Sequence, residues 1–296
     1  MPLRSVTVFG GTGFLGRRVA ARLAEAGATV RVASRHGRGA DSPDDGATAI
    51  VADIRNPADV ERALDGATAT VNCVSLYIES KEATFQDVHV VGARHLAAAA
   101  AARSVRLVHI SGIGADPRSR SPYVRARALG EAAVREACPG ATILRPSVMF
   151  GEDDAFLRAL DRIAGLTPVI PLFGRGGTRL QPVHVDDVAM AVVRALELPE
   201  AGGAVFELGG PQVLTYRQII GQVLAWRGRR RLLLPLPFAA WEMLAGLGRV
   251  LPGPPVTEGQ VALMKRDNVV SGDAPGFPEL GVTPRPLDAV APAFRR

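Results

Sequence analysis

Two stretches of the sequence carry residue types at spacings that could do chemistry. The first is Gly10-Gly11-Thr12-Gly13-Phe14-Leu15-Gly16, between a strand-like run and a helix-like run. Gly10 permits a tight turn, Gly13 lets backbone amides approach a pyrophosphate, and Gly16 lets helix and strand pack closely. The helix start that follows offers unpaired N–H groups and partial positive charge to an anion. The second stretch is Ser121-Pro122-Tyr123-Val124-Arg125-Ala126-Arg127. It reads as N-cap, N1 proline and helix, so Tyr123 and Arg127 share a face four residues apart. A phenol ionises near pH ~10 when unperturbed. A neighbouring cation and a helix N-terminus both favour its ionisation. Arg127 supplies charge and hydrogen bonds, but it does not deprotonate and cannot join a proton relay. Ser111 ends the preceding strand-like run and is placed to point at the same spot.

Positioning these groups requires a particular architecture. Val6–Phe9, Thr29–Ser34, Ala49–Val51, Ala69–Val74, Arg106–Ser111 and Thr142–Leu144 read as strands. Helical faces recur between them: Leu15, Val19 and Leu23; then Val60 and Leu64 after an Asn56-Pro57 start; then Val90–Ala102; then Pro122 to about Glu136. Such alternation means α/β: a doubly wound parallel sheet with helices on both faces. After Pro146 the rhythm breaks, and the expected division follows. Residues 1–150 form a nucleotide-binding domain to which 181–210 return. Residues 151–180 and 211–296 form a smaller mixed domain that caps it.

The chain has 296 residues, with 47% apolar, 22% charged and 5% aromatic residues, which excludes a disordered chain. Cys73 and Cys138 are the only cysteines, so a disulfide scaffold is excluded too; both read as small apolar fillers in a reducing, cytoplasmic setting. Of the 35 cationic residues, only Lys81 and Lys265 are lysines. The arginines are scattered and aromatics are few, so nucleic acid is not an expected partner. His184, Asp186 and Asp187 read as a strand end and helix start, and no metal site is expected.

The second strand ends Ala33-Ser34-Arg35-His36, without the acid that would bond a ribose 2′-hydroxyl. Ser34 and Arg35 suit a 2′-phosphate, with Arg17, Arg18 and Arg38 nearby. The expected cofactor is therefore NADP(H), with NAD(H) as the alternative.

Later segments narrow the reading. Leu144–Gly151, Gln181–Ala189, Phe206–Pro211 and above all Lys265-Arg266-Asp267-Asn268-Val269-Val270 accompany the glycine loop. Together these motifs resemble the atypical and extended short-chain dehydrogenases/reductases, in the branch of the NAD(P)H-binding accessory subunit of respiratory complex I and its bacterial relatives. The resemblance spans essentially the whole chain. It implies an oxidoreductase-like Rossmann fold, complex I subunits as partners, and a link to quinone metabolism at membranes. It also implies that Asp53 and Ile54 border the adenine, that Val74 and Ser75 lie beside the cofactor, and that Pro146 and Val148 face the nicotinamide. In that superfamily a Tyr-x-x-x-Lys pair works with a Ser, which implies Tyr123 as proton donor, Ser111 as carbonyl-orienting group and Arg127 in place of the lysine. The replacement leaves two readings open, a working reductase and a cofactor-holding subunit or redox sensor without turnover. A soluble reductase or epimerase of small metabolites or sugar nucleotides is a third.

Arg227, Arg229, Arg230 and Arg231 precede an apolar stretch from Leu232 to Leu251. It reads either as a lid over an apolar substrate or as an element lying on an anionic membrane surface. It is too short and too interrupted to span a bilayer.

Overall fold

In the computed structural model, residues 4–36, 47–248 and 256–294 are described. Arg38 and Leu251, singled out above, lie outside them. In chain order the first elements are β1 (Ser5–Phe9), α1 (Gly16–Glu25), β2 (Thr29–Ser34), β3 (Thr48–Val51), α2 (Pro57–Ala63) and β4 (Ala69–Asn72). A wide π-type helical segment, Gln86–Gly92, runs into α3 (Ala93–Ala102) and is followed by β5 (Arg106–Ile110), α4 (Pro122–Ala137) and β6 (Thr142–Pro146). Then come β7 (Met149–Phe150), α5 (Ala155–Leu166), β8 (Val169–Phe173), β9 (Arg179–Leu180), β10 (Val183–His184), α6 (Val185–Glu197) and β11 (Val205–Leu208). The last are β12 (Leu214–Thr215), α7 (Tyr216–Trp226), β13 (Leu232–Leu236), α8 (Phe238–Gly248), α9 (Glu258–Met264) and α10 (Ala291–Phe294).

The chain divides into two compact units. The first comprises Met1–Pro146, Val185–Leu208 and Ser271–Thr283. Its seven strands form one parallel sheet in the order β11-β6-β5-β4-β1-β2-β3. The strand order reverses at β1 and β4, where a doubly wound sheet leaves a crevice beyond its strand ends. Val6, Val8, Val30, Val71 and Ile143 are fully buried in these strands, as expected where helices cover both faces. Local chemistry sets the helix starts: the Asn56 side chain accepts from Ala58 N–H at 3.1 Å, and Pro57 stands at N1 of α2.

The π-type segment departs from the helix expected from Val90 onward. The wide turns bring the His89 carbonyl so close to α4 that a Cβ on Gly130 would lie 2.1 Å from its oxygen.

The second unit comprises Ser147–His184, Gly209–Val270 and Pro284–Arg296. Its core gathers Leu157, Leu172, Ile219, Ile220, Trp226 and Phe294. A Thr215/Gln218 capping box starts α7. β13 pairs in parallel with β8, so the greasy stretch begins as a strand before becoming α8. The division differs from the expected one at its edges. Residues 147–150 and 181–184 belong to the second unit, where Met149 and Phe150 pair with Val183 and His184, and 271–283 belong to the first. Glu207 explains the last point, because its carboxylate accepts from Ser271 N–H at 2.7 Å and its own N–H donates to the Pro275 carbonyl at 2.9 Å.

Candidate cofactor and proton-transfer site

The glycine loop closes on itself between β1 and α1. Gly10 has φ +73°, and a Cβ there would meet Cys73 C and Val74 N at 2.9 Å. A Cβ on Gly16 would lie 2.1 Å from the Gly10 carbonyl oxygen, and one on Gly13 would lie 3.2 Å from the same atom. Thr12 and Gly13 are exposed, Phe14 is half-buried and Leu15 is buried. No side chain caps α1, and no acid stands in its first turn. Exposed glycine backbone at an uncapped helix start is what a dinucleotide pyrophosphate requires, so the residues present fit that group.

Around the loop the candidates separate. Arg35 is exposed and Ser34 half-buried at the end of β2. Arg18 is committed elsewhere: it donates to the Phe14 carbonyl at 2.8 Å, pairs with Asp186 at 3.1 Å, and lies over the Phe14 ring. The Asp53 carboxylate accepts from Arg55, with one contact at 2.6 Å. That hydrogen bond, with smaller help from the Arg35 charge, holds its carboxyl below the usual range. Ile54 is buried in the core with Val60, Leu64 and Leu96, and Val74 packs against the same cluster. Pro146 is buried at the end of β6 and accepts from Ile113 N–H at 3.1 Å.

In the second unit, Asn268 organises the stretch that carries Val148. Its Oδ1 accepts from Val148 N–H at 3.0 Å and from the Ser147 hydroxyl at 2.6 Å. Its backbone C=O accepts from Gln181 N–H at 3.0 Å. The distinctive Lys265–Val270 segment is thus a structural clasp.

The proton-transfer candidates sit on α4 and on the loop after β4. Ser121 caps α4, with Pro122 at N1. Arg127 donates to the Tyr123 hydroxyl at 3.2 Å and to Ser75 Oγ at 3.4 Å, and also to the Ser111 carbonyl. Arg127 Nη1 thereby links the Ser75 hydroxyl to the Tyr123 phenol. Burial pushes the phenol above its ordinary value, while the Arg127 charge and the Ser75 hydroxyl pull it down. The Ser111 hydroxyl is turned elsewhere: it donates to Glu131 Oε1 at 2.5 Å inside the protein. The hydroxyl beside Tyr123 is therefore that of Ser75, because a buried carboxylate on α4 takes the Ser111 proton.

Sequence reasoning missed several neighbours. Tyr77 stacks on Tyr123 with centroids 5.6 Å apart and rings 27° from parallel. Phe85 and His89 meet the same ring edge-on at 5.6 Å. Asn72 and His109 are bonded side chain to side chain at 3.1 Å beneath the site. Glu131 accepts from Arg145 at 2.7 Å and Arg135 at 2.8 Å as well as from Ser111. One signal could have found it: Tyr123, Arg127, Glu131 and Arg135 recur every fourth residue along one helix face.

Burial, reinforced by the Arg127 charge, lowers His89 to about 4 and His109 to about 3. A histidine depressed in the folded state stays neutral there, while the unfolded chain takes up protons below about pH 6.5. Stability is therefore full above that value and is lost as pH falls toward the folded values. At pH 5 each histidine should cost about 2 kcal/mol relative to neutral pH. Urea denaturation at pH 7 and pH 5 checks this. His109→Gln should shrink the difference by its share, and equal stability at both pH values would contradict it.

A parallel sheet in this order, with a glycine turn at its switch point, defines a dinucleotide-binding α/β protein. The chain belongs to the NAD dependent epimerase/dehydratase family, which it matches over residues 6–209, and so to the extended short-chain dehydrogenases/reductases. It is 32% identical over 295 residues to NADH dehydrogenase [ubiquinone] 1 alpha subcomplex subunit 9, mitochondrial, of Mus musculus, covering 95% of this chain and 77% of that one. It is 31% identical to the NADH-ubiquinone oxidoreductase 40 kDa subunit of Neurospora crassa over 95% of this chain and 76% of that one. A ceramide reductase of Caulobacter vibrioides is 32% identical over 67% of this chain and 62% of that protein. The fold matches a Thermus thermophilus UDP-glucose 4-epimerase solved with NAD, at TM-score 0.70 and 21% identity, over 98% of this chain and 96% of that one.

Proposed function

We propose that the protein binds NADPH and reduces an apolar carbonyl or quinone acceptor, with Tyr123 donating the proton. One run of contacts carries this reading. Gly10 abuts Val74, the next residue is Ser75, and Ser75 bonds Arg127, which bonds Tyr123. The pyrophosphate turn and the proton donor are thereby joined through a few residues of one unit. When bound, the dinucleotide supplies a hydride. The chain's own residues cradle the pyrophosphate on Gly10, Gly13 and Gly16, hold charge beside the phenol with Arg127, and offer Arg35 to a 2′-phosphate. Asp53 and Pro146 border the cofactor in this reading.

Arg35→Asp should weaken NADPH binding about 10- to 100-fold, the worth of a charge-assisted phosphate contact, and spare NADH. Titration calorimetry with both nucleotides tests it. Tighter NADH binding by the unaltered protein would defeat the NADPH assignment.

A second reading is a cofactor-holding subunit without turnover, associated with complex I as its relatives' names suggest. The Ser111 hydroxyl committed to Glu131 and the arginine at 127 favour it. NADPH bound, but not oxidised with any quinone offered, would establish it.

We further propose peripheral contact with the cytoplasmic face of a membrane, through the second unit. Among the described residues no helix is long and apolar enough to cross a membrane. Yet Leu166, Leu232, Leu234, Met243 and Leu247 are exposed there, with Arg230 beside them. The basic cluster is smaller than its sequence suggests. Arg227 and Arg229 pair with Asp161 at 2.7 and 3.3 Å, and Arg231 donates to the Ala164 carbonyl at 2.8 Å. Apolar insertion should therefore dominate over charge. The protein should float with liposomes even without anionic lipid, and Leu232→Glu with Leu247→Glu should abolish flotation. Sedimentation of the unaltered protein free of vesicles would remove this proposal.

A further inference from the structure

The second unit holds a cleft of about 520 Å³ whose lining is mostly charged. Glu152 precedes α5, Arg158, Asp161 and Arg162 come from α5, Arg227 follows α7, and Phe294 ends α10. One wall is fixed internally. Arg227 grips the Asp161 carboxylate as a fork, at 2.9 and 2.7 Å, and lies over the Phe294 ring at 5.9 Å. Arg229 adds a contact to Asp161 at 3.3 Å, so that carboxylate is shared by two arginines. Arg158 and Arg162 are exposed, four residues apart on one face of α5, where like charges repel. Arg158 gives its Nε to the Glu152 backbone carbonyl at 3.1 Å, and its two terminal nitrogens bond nothing among the described residues. Arg162 has neither hydrogen bond nor ion pair among them. Four guanidinium charges, of Arg158, Arg162, Arg227 and Arg229, thus meet two carboxylates, Glu152 and Asp161. The surplus is two positive charges.

We propose that this cleft binds a phosphate monoester, gripped from α5 by Arg158 and Arg162. The proposal is independent of the dinucleotide reading and uses none of its residues. A phosphate monoester carries about −1.5 to −2 at neutral pH and three acceptor oxygens, which answers the surplus of two positive charges. A diester carries a single negative charge and leaves half of it unanswered. Guanidinium groups suit the task because their planar fork matches phosphate oxygens and stays charged at every working pH. Arg227 is not a binder here, since its fork is held by Asp161; it fixes the wall and adds to the field. The ligand turns the repulsion between Arg158 and Arg162 into two charge-assisted contacts. Glu152 opposes a second anionic group in the same cleft, so a diphosphate fits less well. The required chemistry has two sources. One is a free ester such as glycerol 3-phosphate. The other is the phosphatidate headgroup, since Ile163 and Leu166 continue the exposed face of α5 with apolar side chains.

The test has two arms, both on the whole protein. In the first, glycerol 3-phosphate is titrated by calorimetry into the unaltered protein and into Arg158→Ala with Arg162→Ala. Both side chains are exposed, so the double variant should fold, and its melting temperature checks that. It should bind the ester at least about tenfold more weakly, the worth of one charge-assisted hydrogen bond. Arg158→Lys with Arg162→Lys keeps the charge without the fork and should recover part of the loss. In the second arm, vesicles of phosphatidylcholine with and without phosphatidate are compared, with phosphatidylglycerol as a monoanionic control. Phosphatidate should raise vesicle binding several-fold in the unaltered protein and not in the double alanine variant. A loss in the first arm supports the site with a free ester as ligand, and a loss in the second arm alone supports it with a lipid. Binding that the double alanine variant leaves unchanged, no binding in either arm, or equal binding of phosphatidylglycerol and phosphatidate would overturn the proposal. NADPH titration of the same proteins should be unaffected, and a failure of NADPH to bind at all would remove the proposed function while leaving this site decided by its own two arms.

Discussion

Glu131→Ala should lower the unfolding free energy by about 3 kcal/mol, the low end of the cost of removing one partner of a buried ion pair, because the carboxylate is buried and Arg145 is half-buried. Glu131 is 2% exposed, and its two oxygens serve Arg145, Arg135 and Ser111. Arg145, on β6, reaches in turn to Glu207 on β11 at 3.5 Å. Removing the carboxylate leaves the Arg145 guanidinium with only that longer contact. Thermal melting followed by circular dichroism should show a loss of roughly 10 °C. Glu131→Gln should cost less, because an amide of the same shape can still accept from Arg145. A melting temperature unchanged in Glu131→Ala would mean that water relieves the arginine.

The same carboxylate sets an acid limit. Burial alone would raise its pKa, but the hydrogen bonds from Arg145 and Ser111 outweigh burial and hold it below the usual value. A carboxyl depressed in the folded state contributes stability above its unfolded pKa, about 4.5, and that contribution is lost as pH falls through the folded value. The histidine loss begins at higher pH, so the two should separate along a pH–stability curve. Glu131→Gln should remove only the more acidic limb.

How much of this was legible in the chain depends on where each signal comes from. Strand and helix alternation up to Pro146 reads directly, because burial on both faces forces apolar strands and helical stripes. The helix starts at Asn56-Pro57 and Ser121-Pro122 read directly too, since each cap bonds its own helix. The glycine turn was legible for the same local reason. What did not read was set by distant partners. Ser111 looked free at a strand end, and only the packing of α4 brings Glu131 to its hydroxyl. Tyr77 follows no period, and the stack on Tyr123 is a tertiary contact. The arginine cluster at 227–231 looked like a basic patch because Asp161, which neutralises part of it, lies on α5, more than sixty residues earlier. Charge complementarity across that distance leaves no trace in spacing.

Gly16→Ala should unseat the glycine turn, although it adds a single methyl group. The new Cβ would lie 2.1 Å from the Gly10 carbonyl oxygen and 2.7 Å from Gly11 Cα, where an ordinary contact needs about 3.5 Å. Both obstacles are backbone, so no rotamer relieves them. The loop must move instead, and Gly10 is itself wedged against Cys73 and Val74. The expected cost is about 3 kcal/mol or more, in the range of strained overpacking. Cofactor binding should suffer further, because a pyrophosphate held by backbone N–H groups tolerates little displacement. NADPH affinity should fall at least about 100-fold, some 3 kcal/mol of binding. Gly140→Ala is the control, since nothing lies within 4 Å of a Cβ there. It should stay within about 0.5 kcal/mol of the unaltered protein. Calorimetric titration with NADPH, run beside urea denaturation, separates the two effects. A folded Gly16→Ala protein that binds NADPH as tightly as before would mean that the pyrophosphate does not rest on this turn.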